Sequence, residues 1–421
     1  MTTLTAVRTA LHASPSPHAS SLNSLIDFAQ ISPLKTNTQA VIARFGPEKI
    51  DFPQKGRGLS PFDPATLPSI TELRDILLQD LEQTAQDGTS QPEYFPPPSS
   101  CGESDDDDDD DAGNISEHDA AADLINHVTD ADYETSGVIP HLPSSTLDAL
   151  CNAGKENWDD VLFETPTTVS VLSANTPLTL QHHNESTSFS TLLTGTVVYV
   201  VWPPTPHNFT VLQDAYDAFA TSSFDDTALD VSHRLEGGVT FVQSARETLR
   251  LPPFCLLRGL ATTTAVLATY SIVTADTFVS MLHALPLLTS FWATETHGAA
   301  QKTAFGAALL DCLERILACE FEDEAKVRHP VAPRGPLSAL LRAWDGVRHD
   351  VFGVLDAETT ARMKRAWMAF LVRVVGRNCV LCGRKFMCKR NETRAHFEKT
   401  HWVGGQGEGG SEERVDSMGV E

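Results

Sequence analysis

Four residues near the C-terminus have the types and the spacing to hold a metal ion. Cys379 and Cys382 are separated by two residues, His396 follows after thirteen more, and His401 after a further four. Two thiolates on a tight knuckle and two imidazoles on one helical face complete a tetrahedral Zn2+ site. A second cluster lies mid-chain in TPLTLQHHNESTSF, residues 176–189, where His182, His183 and Glu185 sit together in a Thr-, Leu- and Val-rich region. It reads either as the first ligands of a metal site or as a polar turn between two strands.

The elements around these clusters follow from hydrophobic period. From 166 to 275, TTVSVLS, STLLTG, TVVYVVWPP, GVTFVQ, ETLRLPP and AVLATYSIV are short β-branched and aromatic runs bounded by Gly, Pro, Asn and Ser, the grammar of strands and turns. FTVLQDAYDAFA interrupts them with helical spacing. Many short strands with one helix predict a small barrel or double-sheet jelly roll. From 276 to 376 the period is helical again, in DTFVSMLHALPLL, AAQKTAFGAALLDCLERILACEF, PLSALLRAWDGV and AETTARMKRAWMAFLVRVV, which predicts a helical bundle. The fold class is therefore α+β.

The N-terminal residues 1–95 are partly helical: SLNSLIDFAQ has helical spacing, and Ser69 with Glu72 fits a capping box ahead of Ile70, Leu73, Leu77 and Leu81. Residues 96–117, with seven consecutive aspartates, predict a disordered acidic linker. Residues 118–165 read as a helical lead-in, in which Trp158, Val161, Leu162 and Phe163 form an apolar cluster expected to dock on the next domain. The Gly- and Glu-rich tail, 403–421, predicts disorder.

The net charge of -25 is polarised. Between Asp75 and Glu164 there are 24 acidic residues and one basic residue, Lys155; between Arg362 and Lys399 there are eleven Lys and Arg against two Glu. The basic end suits an anionic partner or the chain's own acidic segment. No run of apolar residues is long enough for a membrane helix, and no membrane partner is expected. Eight cysteines, with only Cys379 and Cys382 closely paired, do not make a secreted disulfide framework, so a reducing compartment, nucleus or cytosol, is expected.

The C-terminal cluster, residues 377–402, resembles a C2H2 zinc finger with one extra residue in the middle. Phe386 stands at the usual small-core position, Thr393 where such fingers keep a Leu, and Cys388 is a spare thiol that competes as a ligand. Arg384, Lys385, Lys389, Arg390 and Arg394 favour phosphate contact. A single finger reads only about three base pairs, so capping the bundle or binding a protein stands beside nucleic-acid binding.

The central region, roughly 158–275, resembles a fungal-type JmjC domain, a cupin-like double-stranded β-helix. The resemblance is carried by Thr176-Pro177 followed by HHNE, then GTVVYVVWPPTPHN, LEGGVTFVQ and ETLRLPPFC, with the WPP and LPPFC elements its main support. It implies an Fe(II) site built from His, an acid two residues on, and a distant His, with 2-oxoglutarate on the open face. His183 and Glu185 match the first pair; His182 with Asn184 is the competing register. The third-ligand slot, four residues after the second Pro of LPPFC, is Leu257. Cys255, two residues earlier, is the nearest other ligand type. The lysine that holds the 2-oxoglutarate carboxylate corresponds to Val197, and the Trp of that strand to Tyr199. Arg258 is a nearby cation of unassigned direction.

Two requirements of the oxygenase reaction are thus missing together. The expectation is a catalytically degenerate, JmjC-like zinc-finger protein, a scaffold or chromatin-associated factor placed in the nucleus by the resemblance. An active Fe(II)/2-oxoglutarate oxygenase of the histone-demethylase or protein-hydroxylase type is the first alternative. A nucleic-acid-binding protein acting through its basic finger is the second.

Overall fold

The computed structural model describes residues 4–34, 53–87, 116–129, 137–152, 154–155, 160–181, 185–221, 229–320, 335–374, 378–386 and 389–402. The chain divides into two units, Met1–Thr277 and Phe278–Glu421. The acidic run, Trp158, His182, His183, Asn184, Cys388 and the C-terminal tail lie outside the described residues.

The first unit is built on two sheets. The smaller has the order β1-β9-β8-β11-β6, from Ser32–Pro33 (β1), Val239–Ser244 (β9), Thr196–Trp202 (β8), Leu256–Ala261 (β11) and Pro177–Gln181 (β6). The larger runs β2-β10-β7-β12-β5-β3, from Gln54–Gly56 (β2), Thr248–Leu251 (β10), Thr187–Thr194 (β7), Ala265–Thr274 (β12), Thr168–Leu172 (β5) and Val138–Pro143 (β3), with Val161–Glu164 (β4) also paired to β12. All pairs are antiparallel except β1 with β9.

Strand alternation separates two cores. On one face of the larger sheet Val169, Val171, Phe189, Val266, Ala268, Tyr270 and Ile272 pack with Leu73, Leu77 and Leu81 of helix α3 (Ile70–Asp87) and with Leu124 and Ile125 of α4 (Glu117–Asn126). The other face gives Leu172, Leu192, Leu249 and Leu267 to a second cluster, completed from the smaller sheet by Val197, Tyr199, Val201, Phe241 and Leu257. The space between the sheets is therefore filled mostly with hydrocarbon. Helices α1 (Leu4–Ala13) and α2 (Pro17–Phe28) lie along the smaller sheet. The Ser69–Glu72 capping box forms as its sequence requires: Ser69 N–H donates to Glu72 Oε2 at 2.8 Å, and Glu72 N–H to Ser69 Oγ at 3.3 Å.

The sheet starts well before residue 166. β3 and β4 lie in the stretch read as a helical lead-in, around one helix, α5 (Ser145–Asn152). β3 carries Pro140 and Pro143 and occupies an edge, where a missing N–H is tolerated. In β4 Leu162 is buried while Phe163 is 50% exposed, so these residues alternate across a strand instead of forming one docking face. FTVLQDAYDAFA lies in α6 (Pro206–Thr221).

In the second unit, DTFVSMLHALPLL is two helices, α7 (Ala275–Leu282) and α8 (Leu285–Trp292), because Pro286 has no N–H to continue the first and suits the opening turn of the second. They are followed by α9 (Gly298–Leu317), α10 (Pro336–Val354) and α11 (Ala357–Arg373). α10 buries Leu337, Leu340, Leu341, Trp344, Val347 and Val351, and α11 buries Met363, Trp367, Phe370 and Leu371, each a stripe of helical period. Arg362 of α11 bonds to Asp311 and Glu314 of α9, and Arg373 donates to the Leu317 and Ala318 carbonyls at the end of α9, where a cation meets the negative helix terminus.

Candidate metal centre

The knuckle is a short hairpin. Asn378 bridges Lys385, Cys379 N–H donates to the Arg384 carbonyl at 2.8 Å, and Gly383 N–H donates to the Cys379 carbonyl at 2.9 Å. Gly383 has φ +73°, a left-handed turn that glycine adopts without a Cβ penalty. The hairpin projects both sulfurs to one side. After it, α12 (Lys389–His396) runs into a π-helical turn, Phe397–His401, closed by Trp402 N–H to the Phe397 carbonyl at 3.0 Å.

The π turn accounts for the wide histidine spacing. In an α-helix, with about 3.6 residues per turn, positions five apart point well away from each other. An i→i+5 turn widens the helix locally and restores a common face. His396 and His401 converge, with ring centroids 5.0 Å apart and Nε2 atoms 3.2 Å apart.

The four ligand atoms lie within 4.8 Å of one another. Cys379 Sγ is 3.5 Å from His401 Nε2, and Cys382 Sγ is 3.2 Å from His396 Nε2. A tetrahedral ion with bonds of about 2.3 Å to sulfur and about 2.0 Å to nitrogen requires S···N edges of about 3.5 Å and N···N edges of about 3.3 Å. The donor set fits such an ion, and the three short edges are close to these lengths.

Protonation is consistent with ligation. His401 Nδ1 lies 2.7 Å from Asp345 Oδ1, and His396 Nδ1 lies 3.2 Å from Thr400 Oγ1. The Asp345 carboxylate can only accept, so His401 Nδ1 carries the proton and its Nε2 lone pair faces the centre; the Thr400 hydroxyl can accept from His396 Nδ1 in the same tautomer. Burial, then His401 and Arg384, hold the His396 pKa below its ordinary value, which favours the neutral ring. Burial raises the Cys379 thiol, against N–H donors from Cys382 and Leu381, so metal uptake has a proton to displace.

The Cys/His segment is not a separate body from the bundle. Phe397 and Trp402 pack with Trp344 and Trp367, with centroids 5.3 Å apart for Trp367–Phe397 and 6.2 Å for Trp344–Trp402. Phe386, expected in the small core, is half-buried and lies edge-on to His396 at 5.4 Å. Thr393 is buried. Trp344, Asp345 and Arg348 escaped the spacing argument because Asp345 lies 56 positions before His401, and no motif links them.

Of the basic residues, Arg384 and Lys385 are exposed on the knuckle, and Arg394 is 3.7 Å from Glu398. Lys389 and Arg390 open α12, and their side chains are not among those described.

The mid-chain residues have different surroundings. Leu257 is 7% exposed and pairs with Val201 on one side and Gln181 on the other. Val197 is fully buried, Tyr199 nearly so, and Cys255 is buried in the same apolar cluster. Arg258 points to the opposite face from Leu257: its guanidinium is 2.6 Å from Asp230 and 3.2 Å from Ser232 Oγ. It therefore supplies no cation between the sheets. Glu185 is partly buried, and burial raises its carboxyl pKa against a bond from its own backbone. His183 lies outside the described residues.

Scanned against protein-family models the chain matches none, and a search of curated proteins finds no match. Among the described residues no helix is long and apolar enough to cross a membrane.

Proposed function

We propose that the chain is a JmjC-like zinc-finger protein whose barrel has lost oxygenase chemistry and whose role is that of a nuclear scaffold or chromatin-associated factor. The two-sheet core is read as a jelly roll of the cupin type. One observation carries the loss of activity: Leu257 and Val197, at the slots for the third iron ligand and the co-substrate lysine, share the hydrocarbon cluster between the sheets. A leucine has no lone pair for a metal. A dicarboxylate placed beside valine without a cation would bear a large desolvation cost. The proposed resident metal is a structural Zn2+ held by Cys379, Cys382, His396 and His401, where it would neutralise the thiolates and cross-link the knuckle to the C-terminal helix.

The test supplies purified protein with Fe(II), 2-oxoglutarate and O2 and measures succinate. The expected result is no release above the protein-free background. Succinate release that disappears in His183→Ala would establish the active oxygenase instead.

A second reading, binding to nucleic acid, is favoured by the exposure of Arg384 and Lys385 on the knuckle. Its signature is affinity that weakens with salt. Neutralising both residues should lower the slope of log K against log salt by about 2, near one for each phosphate left without its cation. A slope unchanged by the double substitution would exclude that surface.

A further inference from the structure

We propose that Asp345 is a positioning residue for the metal centre and that, through it, helix α10 is part of the site. The inference rests on the Zn2+ reading above and concerns what lies behind the ligands. Three side chains on one stretch of α10 grip the turn that carries His401. Trp344 Nε1–H donates to the His401 carbonyl at 3.0 Å. Asp345 Oδ1 is 2.7 Å from His401 Nδ1. Arg348 donates to the Thr400 carbonyl at 3.1 Å and to Asp345 Oδ1 at 2.6 Å.

Each of these bonds restricts a different freedom of the ligand. Those from Trp344 and Arg348 hold consecutive carbonyls of the π turn and so fix the backbone from which the ring projects. The carboxylate accepts from Nδ1, sets the tautomer and stops rotation about the ring axis. His401 is 1% exposed, so water cannot replace that acceptor from the ring's other sides. A carboxylate behind a ligating imidazole also makes the nitrogen facing the metal a better donor. Among the described residues His396 Nδ1 has the Thr400 hydroxyl behind it, at 3.2 Å, a neutral and weaker partner. The two histidines are therefore unequal, and the better-supported one is tied to the bundle.

This arrangement couples metal occupancy to the aromatic core. Trp402 follows His401 directly and packs on Trp344 and Phe352, with centroids 6.2 and 4.9 Å apart. A ligand turn released from the metal loosens the indole next to it.

The experiment measures Zn2+ affinity of the full chain by competition with a chromophoric chelator, for wild type, Asp345→Asn and Asp345→Ala. Asp345 is 45% exposed at its side chain, so these variants leave the fold in place, and circular dichroism verifies it. Asp345→Ala is expected to bind Zn2+ about 10–100-fold more weakly. Asp345→Asn, which keeps an acceptor but not the charge, should fall between. Chelating wild-type protein should shift tryptophan emission to the red, and Trp402→Phe should remove most of that shift. Stoichiometric wild-type binding with unchanged affinity in Asp345→Ala overturns the positioning role and leaves the Zn2+ reading intact. Failure of wild type to bind Zn2+ overturns both. Emission indifferent to metal removal overturns the coupling.

Discussion

Replacing Val197 by lysine puts a cation where the JmjC resemblance locates a co-substrate lysine and where this chain has a fully buried valine. Across the neighbouring strands Val197 faces Gln243 and Ala261. The polar group within reach is the Gln243 amide oxygen, which has no hydrogen-bond partner among the described residues. Lysines buried this deeply have pKa values lowered by about 3–5 units, and one unit is about 1.4 kcal/mol. Counted at pH 7, where the folded-state lysine gives up much of its charge, the cost is about 4–5 kcal/mol. The sign follows from linkage. With the folded pKa below the unfolded value, the unfolded chain binds more protons, so stability rises with pH between the two. The deficit against wild type is largest near neutrality and shrinks toward about pH 10, the unfolded lysine value. Urea denaturation at pH 7 and pH 10, followed by near-ultraviolet circular dichroism, measures it. A Val197→Lys protein as stable as wild type at pH 7, or one stabilised by added 2-oxoglutarate, would refute the idea that this space is only a packed core.

Other expectations are simpler. Trp367, fully buried between Trp344 and Phe397, should cost about 3–5 kcal/mol on truncation to Ala, and Zn2+ affinity should fall with it; calorimetry and chelator competition measure the two. Asp80 is buried with one carboxylate oxygen lacking a hydrogen-bond partner among the described residues, and burial, against a bond from Ser144, raises its pKa. A raised carboxyl stabilises the fold below the unfolded pKa and loses that contribution as pH rises through the folded one. Asp80→Asn should therefore be more stable than wild type at pH 7 and no more stable at pH 3, by urea titration at each pH. Ser69→Ala removes the cap of α3 and should cost about 1 kcal/mol, read from the same titrations.

What was legible in the sequence was local. The Ser69–Glu72 box, the stripes of α10 and α11 and the Cys-x2-Cys…His-x4-His spacing each arise from neighbours within a turn or a knuckle, and the structure forms each of them. β1, β2, β3 and β4 were missed because strands of two to six residues carry too little alternation to stand out, and they owe their existence to partners far along the chain. Arg258 could not be aimed from its type, but alternation from Leu257 along β11 turns it away from the space between the sheets. The docking of the Cys/His segment was illegible for the same reason as Asp345: aromatic packing among Trp344, Trp367, Phe397 and Trp402 is a tertiary event. The four Cys and His residues were visible; the helix whose Asp345 stands behind His401 was not.

The most direct test of the account is X-ray absorption at the zinc edge on the purified full chain. The expected spectrum has one Zn2+ per chain with two sulfurs at about 2.3 Å and two imidazole nitrogens at about 2.0 Å, and the signal vanishes when Cys379 and Cys382 are both replaced by Ser. A shell of nitrogen and oxygen alone, or a zinc content indifferent to those substitutions, would contradict it.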